Sequence, residues 1–197
     1  MEKFRGNGLL KYYSSDELEK VFKIDDLYEK AFVIVCELFK DKVDKAGGPY
    51  IGHLCRVSDR LDDELEKVAG LLHDTFEDTD VNYEDLLQIG FSKEILDVVM
   101  LVTKNKNDTF GKSCQDKLES YYAKIDSIID SGNLHAIRLK YADMSDNYDE
   151  DRLRCLSSDM QEWFHKKYGT SLVKLKNKLD MIEEDDRELY CRNFSRK

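Results

Sequence analysis

Apolar residues return every three or four positions through most of this chain, the spacing of a buried helix face. Leu54, Val57 and Leu61 keep it, as do Val68, Leu71, Leu72, Thr75 and Phe76, then Ile137, Tyr141 and Met144. A late run keeps it too: Met160, Trp163, Phe164, Tyr168, Leu172, Leu175 and Leu179 across 158–184. Start signals divide the pattern into elements. Ser14 with Glu17 forms a capping box for a short first helix, and a second helix is predicted over 24–43. Gly47, Gly48 and Pro49 punctuate a turn that opens a helix carrying His53, followed by a long helix over 62–77. Asn82 caps 83–88 and Ser92 caps 93–103. A polar loop over 105–111 precedes a helix over 115–129, and Ser131-Gly132-Asn133 breaks the chain before the helix that carries Asp143. The charged stretch after Glu183 is expected to fray.

Composition agrees with helix throughout. One Pro, ten Gly and a high content of Leu, Lys, Glu and Asp argue for helix, so the predicted fold class is all-α. A chain of 197 residues suits one domain over 1–197, with a core at about 25–150 and a C-terminal helical extension at about 158–184. That length leaves no room for a second catalytic domain. The formal net charge of −10 argues against nucleic acid as a partner. An anionic ligand would need local attraction, for which Lys45, Lys104 and Lys140 are candidates. The longest apolar run, Ala31 to Cys36, is too short to span a bilayer, so no membrane partner is expected. No secretory leader pattern opens the chain. Five scattered Cys without a C-x-x-C pair fit reduced thiols in a cytoplasm.

Candidate chemistry changes the picture most at His73-Asp74-Thr75-Phe76-Glu77-Asp78. On one helix these put an imidazole and three carboxylates on neighbouring positions, beside a buried stripe. Such a cluster is costly to desolvate without a partner, and a divalent cation is the simplest one. Alone, the segment reads more readily as a solvated acidic face that carries a histidine. Two further segments alter that balance. Gly47-Gly48-Pro49-Tyr50-Ile51-Gly52-His53 places a second histidine in the first turns of a helix. Lys140, Asp143 and Asn147 lie at i, i+3 and i+7 on a third helix.

Together, His53, His73-Asp74 and Asp143 resemble the ligand set of the HD superfamily of metal-dependent phosphohydrolases. The flanking residues, Gly-Gly-Pro-Tyr-Ile-x-His at 47–53, Ala-Gly-Leu-Leu-His-Asp-Thr-Phe-Glu-Asp-Thr at 69–79 and Leu-Lys-Tyr-Ala-Asp-Met-Ser-Asp-Asn at 139–147, resemble the hydrolase domain of the RelA/SpoT-type guanosine tetraphosphate (ppGpp) enzymes, in a small stand-alone form. The resemblance implies an HD-type helical bundle and a nucleotide as small-molecule substrate. It implies removal of the 3′-pyrophosphate of ppGpp, with Mn²⁺ held by His53, His73, Asp74 and Asp143; ligand chemistry alone leaves Fe²⁺, Co²⁺ and Zn²⁺ open. Glu77 or Asp78 would take the proton of the attacking water, or Glu77 would orient a ligand histidine. Lys45, Lys104, Lys140 and Asn147 would contact the nucleotide, against an alternative in which Lys45 and Lys104 are surface lysines.

The chain departs from the family pattern at four positions: Asp44 stands where an Arg is expected, Leu54 follows His53 in place of Pro, Met144 replaces an Arg, and Asp146 replaces a His. A carboxylate at 44 would weaken guanine reading. Two alternatives therefore stand beside ppGpp hydrolysis: hydrolysis of another phosphorylated nucleotide, and a catalytically silent nucleotide-sensing module. Oligomeric state is not legible.

Overall fold

The computed structural model describes residues 4–104 and 113–194, with side chains described as far as Asp185. The expected loop at 105–111 lies outside the described residues. Helices carry the described fold and there is no strand among those residues; one isolated bridge pairs Val43 with Pro49. The order is α1 (Ser15–Phe22), α2 (Leu27–Leu38), α3 (Tyr50–Asp59), α4 (Glu64–Leu72), α5 (Thr75–Asp78), α6 (Tyr83–Gln88), α7 (Lys93–Val102), α8 (Cys114–Asp130), α9 (Leu134–Asn147), α10 (Glu150–Arg154) and α11 (Ser158–Phe194). A short 3-10 turn, Gly8–Lys11, precedes them. The all-α bundle read from the pattern is what the chain forms.

α4 is the axis of the bundle. It packs against α2, α3, α7 and α9. Its run Val68-Ala69-Gly70-Leu71-Leu72 is buried on every side. Gly70 permits this: a Cβ there would stand 3.0 Å from the Ser58 Cα of α3. The absence of that atom lets the two helices close, and it brings His73 beside His53. Fully buried Leu54, Leu71, Leu72, Leu96 and Ile137 fill the space between these helices. Each such side chain contributes roughly 1.5–3 kcal/mol of burial free energy.

Polar starts set most boundaries where the sequence places them. Ser14 and Asn82 close full capping boxes with Glu17 and Asp85, and Ser92 accepts from the Ile95 amide. At Gly132 the backbone turns with φ +66°, and Asn133 then caps α9.

Three expectations fail. The helix predicted over 24–43 runs only over α2, because the Asp26 side chain accepts from the Glu29 amide and starts it late. It ends early because the Tyr50 amide bonds the Lys42 carbonyl and pulls 42–44 into extended chain. The helix predicted over 62–77 is interrupted at His73–Asp74. The His73 Nδ1 takes the Gly70 carbonyl at 2.8 Å, an acceptor that the next turn's amide would use. Asp74 then sits at φ −97°, ψ 0°, in the bridge region. At the other end, α11 does not fray after Glu183; it continues to Phe194. The aromatic residues of its first half are packed on α8 and α9.

Candidate metal centre

Four elements converge on one cleft. His53 enters from α3, one turn past Pro49. His73 and Asp74 come from the break between α4 and α5. Asp143 comes from α9. The His53 and His73 rings stand edge to face with centroids 5.3 Å apart. One ligand atom each from His53, His73 and Asp143 lie within 4.8 Å of one another, and all three residues are buried. The Asp74 Oδ2 is 3.2 Å from His73 Nε2 and 3.8 Å from His53 Nε2. Asp143 Oδ1 is 3.7 Å and 3.5 Å from the same two nitrogens. The four residues read from the motifs are therefore brought together, across a break in the helix that the sequence reading treated as continuous.

The histidines are held from behind. Asp146 Oδ2 lies 2.7 Å from His53 Nδ1, and the Gly70 carbonyl holds His73 Nδ1. Both Nε2 atoms are thereby turned toward the cleft. The His73 Nε2 is buried and makes no hydrogen bond, an orphan of the kind native interiors rarely leave. A divalent cation fits this donor set: two imidazole nitrogens, two carboxylates and hydrogen-bonded outer partners.

The electrostatics say the same. Burial disfavours the imidazolium of His53, but Asp143 and Asp146 outweigh it and raise its pKa. His73 is raised well above its usual value against the cost of burial, chiefly by Asp74 and Asp143. Burial opposes ionisation of Asp143, yet Lys140 and both histidines hold its pKa well below the carboxylate range. Two carboxylates in a buried space are thus balanced by protons that a bound cation would displace.

The remaining candidates divide. The Lys140 Nζ is buried and meets Asp143 Oδ2 at 2.7 Å. Asn147 Nδ2 donates to Asp143 Oδ1 at 2.6 Å. Both residues line the cleft, but their bonds go to Asp143, and neither forms the charged outer face that a helix with this pattern suggests. Glu77 Oε1 accepts from the Lys104 amide at 2.7 Å, and Lys104 Nζ stands 3.3 Å from its other oxygen. Asp78 is drawn to the rim by Lys42 and Tyr50. The Tyr50 hydroxyl also donates to Asp74. Lys45 is exposed, with its ammonium 4.9 Å from the Phe164 ring centroid.

Asp44 is not a free carboxylate facing a ligand. Its Oδ1 accepts from the Ala46 and Gly48 amides at 2.9 and 3.0 Å, closing the loop. Its Oδ2 is 3.1 Å from Arg152 NH2. Arg152 also bonds Asp146, and Arg56 Nε meets the other oxygen of Asp146 at 2.7 Å. The two departures at 44 and 146 are partners of one arginine, so a guanidinium still stands at the mouth of the cleft.

The cleft has a volume of about 150 Å³ and is partly open to solvent. Arg152, Tyr121, Phe164, Lys167 and Tyr168 line it beside the residues named above. Tyr121, Phe164 and Tyr168 are both core and cleft wall, a double role that helical spacing does not mark. Lys167 and Arg152 were missed because no local pattern marks which face of α10 or α11 meets a cleft. His135 and His165 lie outside the His53–His73–Asp143 cluster.

No family model matches the chain. It is 31% identical over 127 residues to a GTP pyrophosphokinase of Myxococcus xanthus, covering 62% of this chain and 17% of that protein. It is 32% identical over 96 residues to a probable guanosine-3′,5′-bis(diphosphate) 3′-pyrophosphohydrolase of Synechocystis, covering 47% and 12%. It is 24% identical over 140 residues to the bifunctional (p)ppGpp synthase/hydrolase SpoT of Escherichia coli, covering 69% and 18%. The chain thus spans less than a fifth of the length of these curated relatives. Among solved structures, a metazoan SpoT ortholog described as hydrolysing ppGpp shares the fold, with a TM-score of 0.60 at 21% identity, over 79% of this chain and 94% of that one. The resemblance carried by the three motifs is borne out in sequence similarity and in fold.

Proposed function

We propose that this chain, a relative of the RelA/SpoT-type hydrolase domain with the HD bundle fold, is a metal-dependent phosphohydrolase that removes the 3′-pyrophosphate from ppGpp-like nucleotides. The observation that carries the reading is the buried His53–His73–Asp143 cluster with its orphaned His73 Nε2. Its chemistry suits a divalent cation, and the curated relatives named above act on guanosine polyphosphates. His53, His73, Asp74 and Asp143 would hold the metal, with Mn²⁺ favoured by resemblance. When bound, such an ion lowers the pKa of a coordinated water and neutralises phosphoryl charge.

The residues of this chain supply the rest. Asp146 and the Gly70 carbonyl fix the imidazole tautomers. Lys140 and Asn147 hold the Asp143 carboxylate in one orientation. Glu77, oriented by Lys104, accepts the proton of the attacking water, and Asp78 stays at the rim with Lys42. Water adds to the 3′-linked phosphorus, the ribose O3′–P bond breaks, and the 3′-oxygen leaves with a proton. Pyrophosphate and a nucleoside 5′-diphosphate are the products. Lys45 and Lys104 draw the anionic nucleotide into a chain whose net charge is −10.

The hydrolase unit is assigned to about 25–150, with α11 as a functional wall because it contributes Phe164, Lys167 and Tyr168 to the cleft. A reducing cytoplasm suits Cys36, Cys55, Cys114 and Cys155, which are all unpaired. No helix among the described residues is long and apolar enough to cross a membrane.

A second reading keeps the metal and changes the nucleotide. The Asp44–Arg152 pair supports it, because this mouth differs from the family pattern at the position associated with guanine. A panel of guanosine and adenosine nucleotides bearing 3′-diphosphate, 3′-monophosphate or 2′-phosphate, with phosphate and pyrophosphate measured separately, decides between them. Pyrophosphate released from the guanosine 3′-diphosphate supports the first reading; phosphate released only from the monophosphates supports the second.

A further inference from the structure

The loop at the mouth of the cleft has little core beneath it. Residues 41–50 include no buried residue, and Val43 is 64% exposed. Polar ties hold the loop instead. At its root the Lys42 carbonyl accepts from the Tyr50 amide at 2.9 Å, and the Lys42 ammonium pairs with Asp78. Further on, Asp44 reaches out of the loop. With Oδ1 used by the Ala46 and Gly48 amides, its Oδ2 lies 3.1 Å from Arg152 NH2 and 3.8 Å from Arg56 NH2.

Arg152 does not stop at the loop. Its NH1 bonds Asp146 Oδ2 and stands 3.3 Å from His53 Nδ1. That Asp146 oxygen is the one that meets His53 Nδ1 at 2.7 Å. A guanidinium with 17% of its side chain exposed thus bridges two carboxylates that are 7% and 1% exposed. One carboxylate belongs to the loop, and the other stands behind His53. A buried ion network of this kind adds little to stability, because desolvation cancels much of the attraction. What it supplies is geometry: a planar fork fixes two partners at once, which a single ammonium does not.

We propose that Arg152 is a positioning residue that couples the 42–48 loop to His53, so that Asp44 sets the orientation of an imidazole it does not touch. Asp44 and Asp146, two of the departures from the family pattern, are the two acceptors that this joint needs. A seated loop holds His53 Nε2 toward the cleft and tightens a cation there. By linkage, a bound cation steadies the loop by the same factor. The effect on a cation rests on the proposed metal-dependent reading; the coupling of the loop to His53 does not.

Wild type, Asp44→Asn, Arg152→Lys and the double variant test it. The first measurement is the histidine ring ¹⁵N spectrum of metal-free protein, which needs neither a cation nor turnover. Asp44→Asn should move the His53 Nδ1 resonance and leave that of His135 in place. In the Arg152→Lys background the same substitution should move it no further, because the bridge is already cut. A direct field from Asp44, or a general loosening of the fold, would still act in that background. The second measurement is Mn²⁺ affinity of the same proteins by calorimetry. Arg152→Lys should bind about tenfold more weakly, the low end for an outer partner of a ligand. Asp44→Asn should lose less, and the double variant should be no weaker than Arg152→Lys. A His53 resonance unmoved by Asp44→Asn, or effects that simply add in the double variant, would overturn the coupling even if the protein binds metal and hydrolyses ppGpp. A non-additive shift at His53 in a wild type that binds no cation would uphold the coupling and reject the metal-dependent reading. Arg152→Lys keeps a positive charge between the two carboxylates; if it still fails to fold, Asp146→Asn takes its place in the cycle, with the same expectation that Asp44→Asn then has no further effect.

Discussion

Among the described residues, two groups of histidine and carboxylate involve α4 and α9, one around the buried Glu66 and one around the buried His73, and they are built to opposite ends. At one, Glu66 is 1% exposed and accepts from His135 Nδ1 at 2.8 Å and Arg138 NH1 at 3.3 Å. Its charge is met by an arginine, and neither partner aims an orphaned atom into a cleft. At the other, His53, His73, Asp74 and Asp143 gather around one point; Asp74 and Asp143 accept from Tyr50, Lys140 and Asn147, but the buried His73 Nε2 is left bare. Residue types are nearly the same. What separates a site from a strut is the valence left over after the protein has satisfied itself.

The sharpest way to break this comparison is Asp143→Asn. It removes a ligand and the partner of Lys140 while preserving volume. Metal content should fall and activity should drop by more than about 100-fold, beyond what loss of an outer partner alone costs. Metal analysis and steady-state kinetics on the same sample check this. Retained metal with full turnover would place Asp143 with Glu66 as a structural carboxylate.

Next in size is Glu77→Gln. Turnover should slow by about 10²–10⁴-fold with metal content unchanged, the range for a lost proton acceptor. A variant that loses its metal instead would make Glu77 an orienting residue.

Asp146→Asn sharpens the comparison from behind the ligands. Asp146 is fully buried and binds His53, Arg56 and Arg152. Burial opposes its ionisation, but hydrogen bonds from His53 and Arg56 and the charge of Arg152 hold its pKa far below the ordinary carboxylate range. Its neutral isostere should lower metal affinity by about 10–100-fold, the cost typical of an outer-shell partner. Metal titration followed by dialysis measures it.

The smallest functional effect belongs to the strut. Glu66→Gln should cost about 1–3 kcal/mol in stability by chemical denaturation, since His135 and Arg138 keep some access to water. Its kcat/KM and metal content should equal those of wild type. A loss of activity without a loss of stability would show that the two clusters communicate.

The difference between the clusters was only partly legible in the chain. Helix starts at Ser14, Asn82 and Ser92 could be read because capping is local chemistry. So could the grouping of His53, His73, Asp74 and Asp143, which three separated motifs single out and the fold brings together. The pairing of Asp44 with Arg152 spans 108 residues, and no local pattern announces it; Asp44 read in isolation looks like a repulsive charge at the mouth. The break at His73–Asp74 was hidden because an unbroken apolar stripe continues through Thr75 and Phe76. Lys167 lies one position from the buried Tyr168, and a helical stripe does not say whether its neighbour meets solvent or a cleft. Tyr121 reads as core, which it is, and its unbonded hydroxyl appears only once the surrounding groups are placed.

The central claim is tested most directly by following pyrophosphate release from guanosine 5′-diphosphate 3′-diphosphate with protein stripped by chelator and then titrated with Mn²⁺. Stripped protein should release none, and recovery should track metal bound at one site per chain. Undiminished release from stripped protein, or a fully metal-loaded protein that releases none, would contradict it.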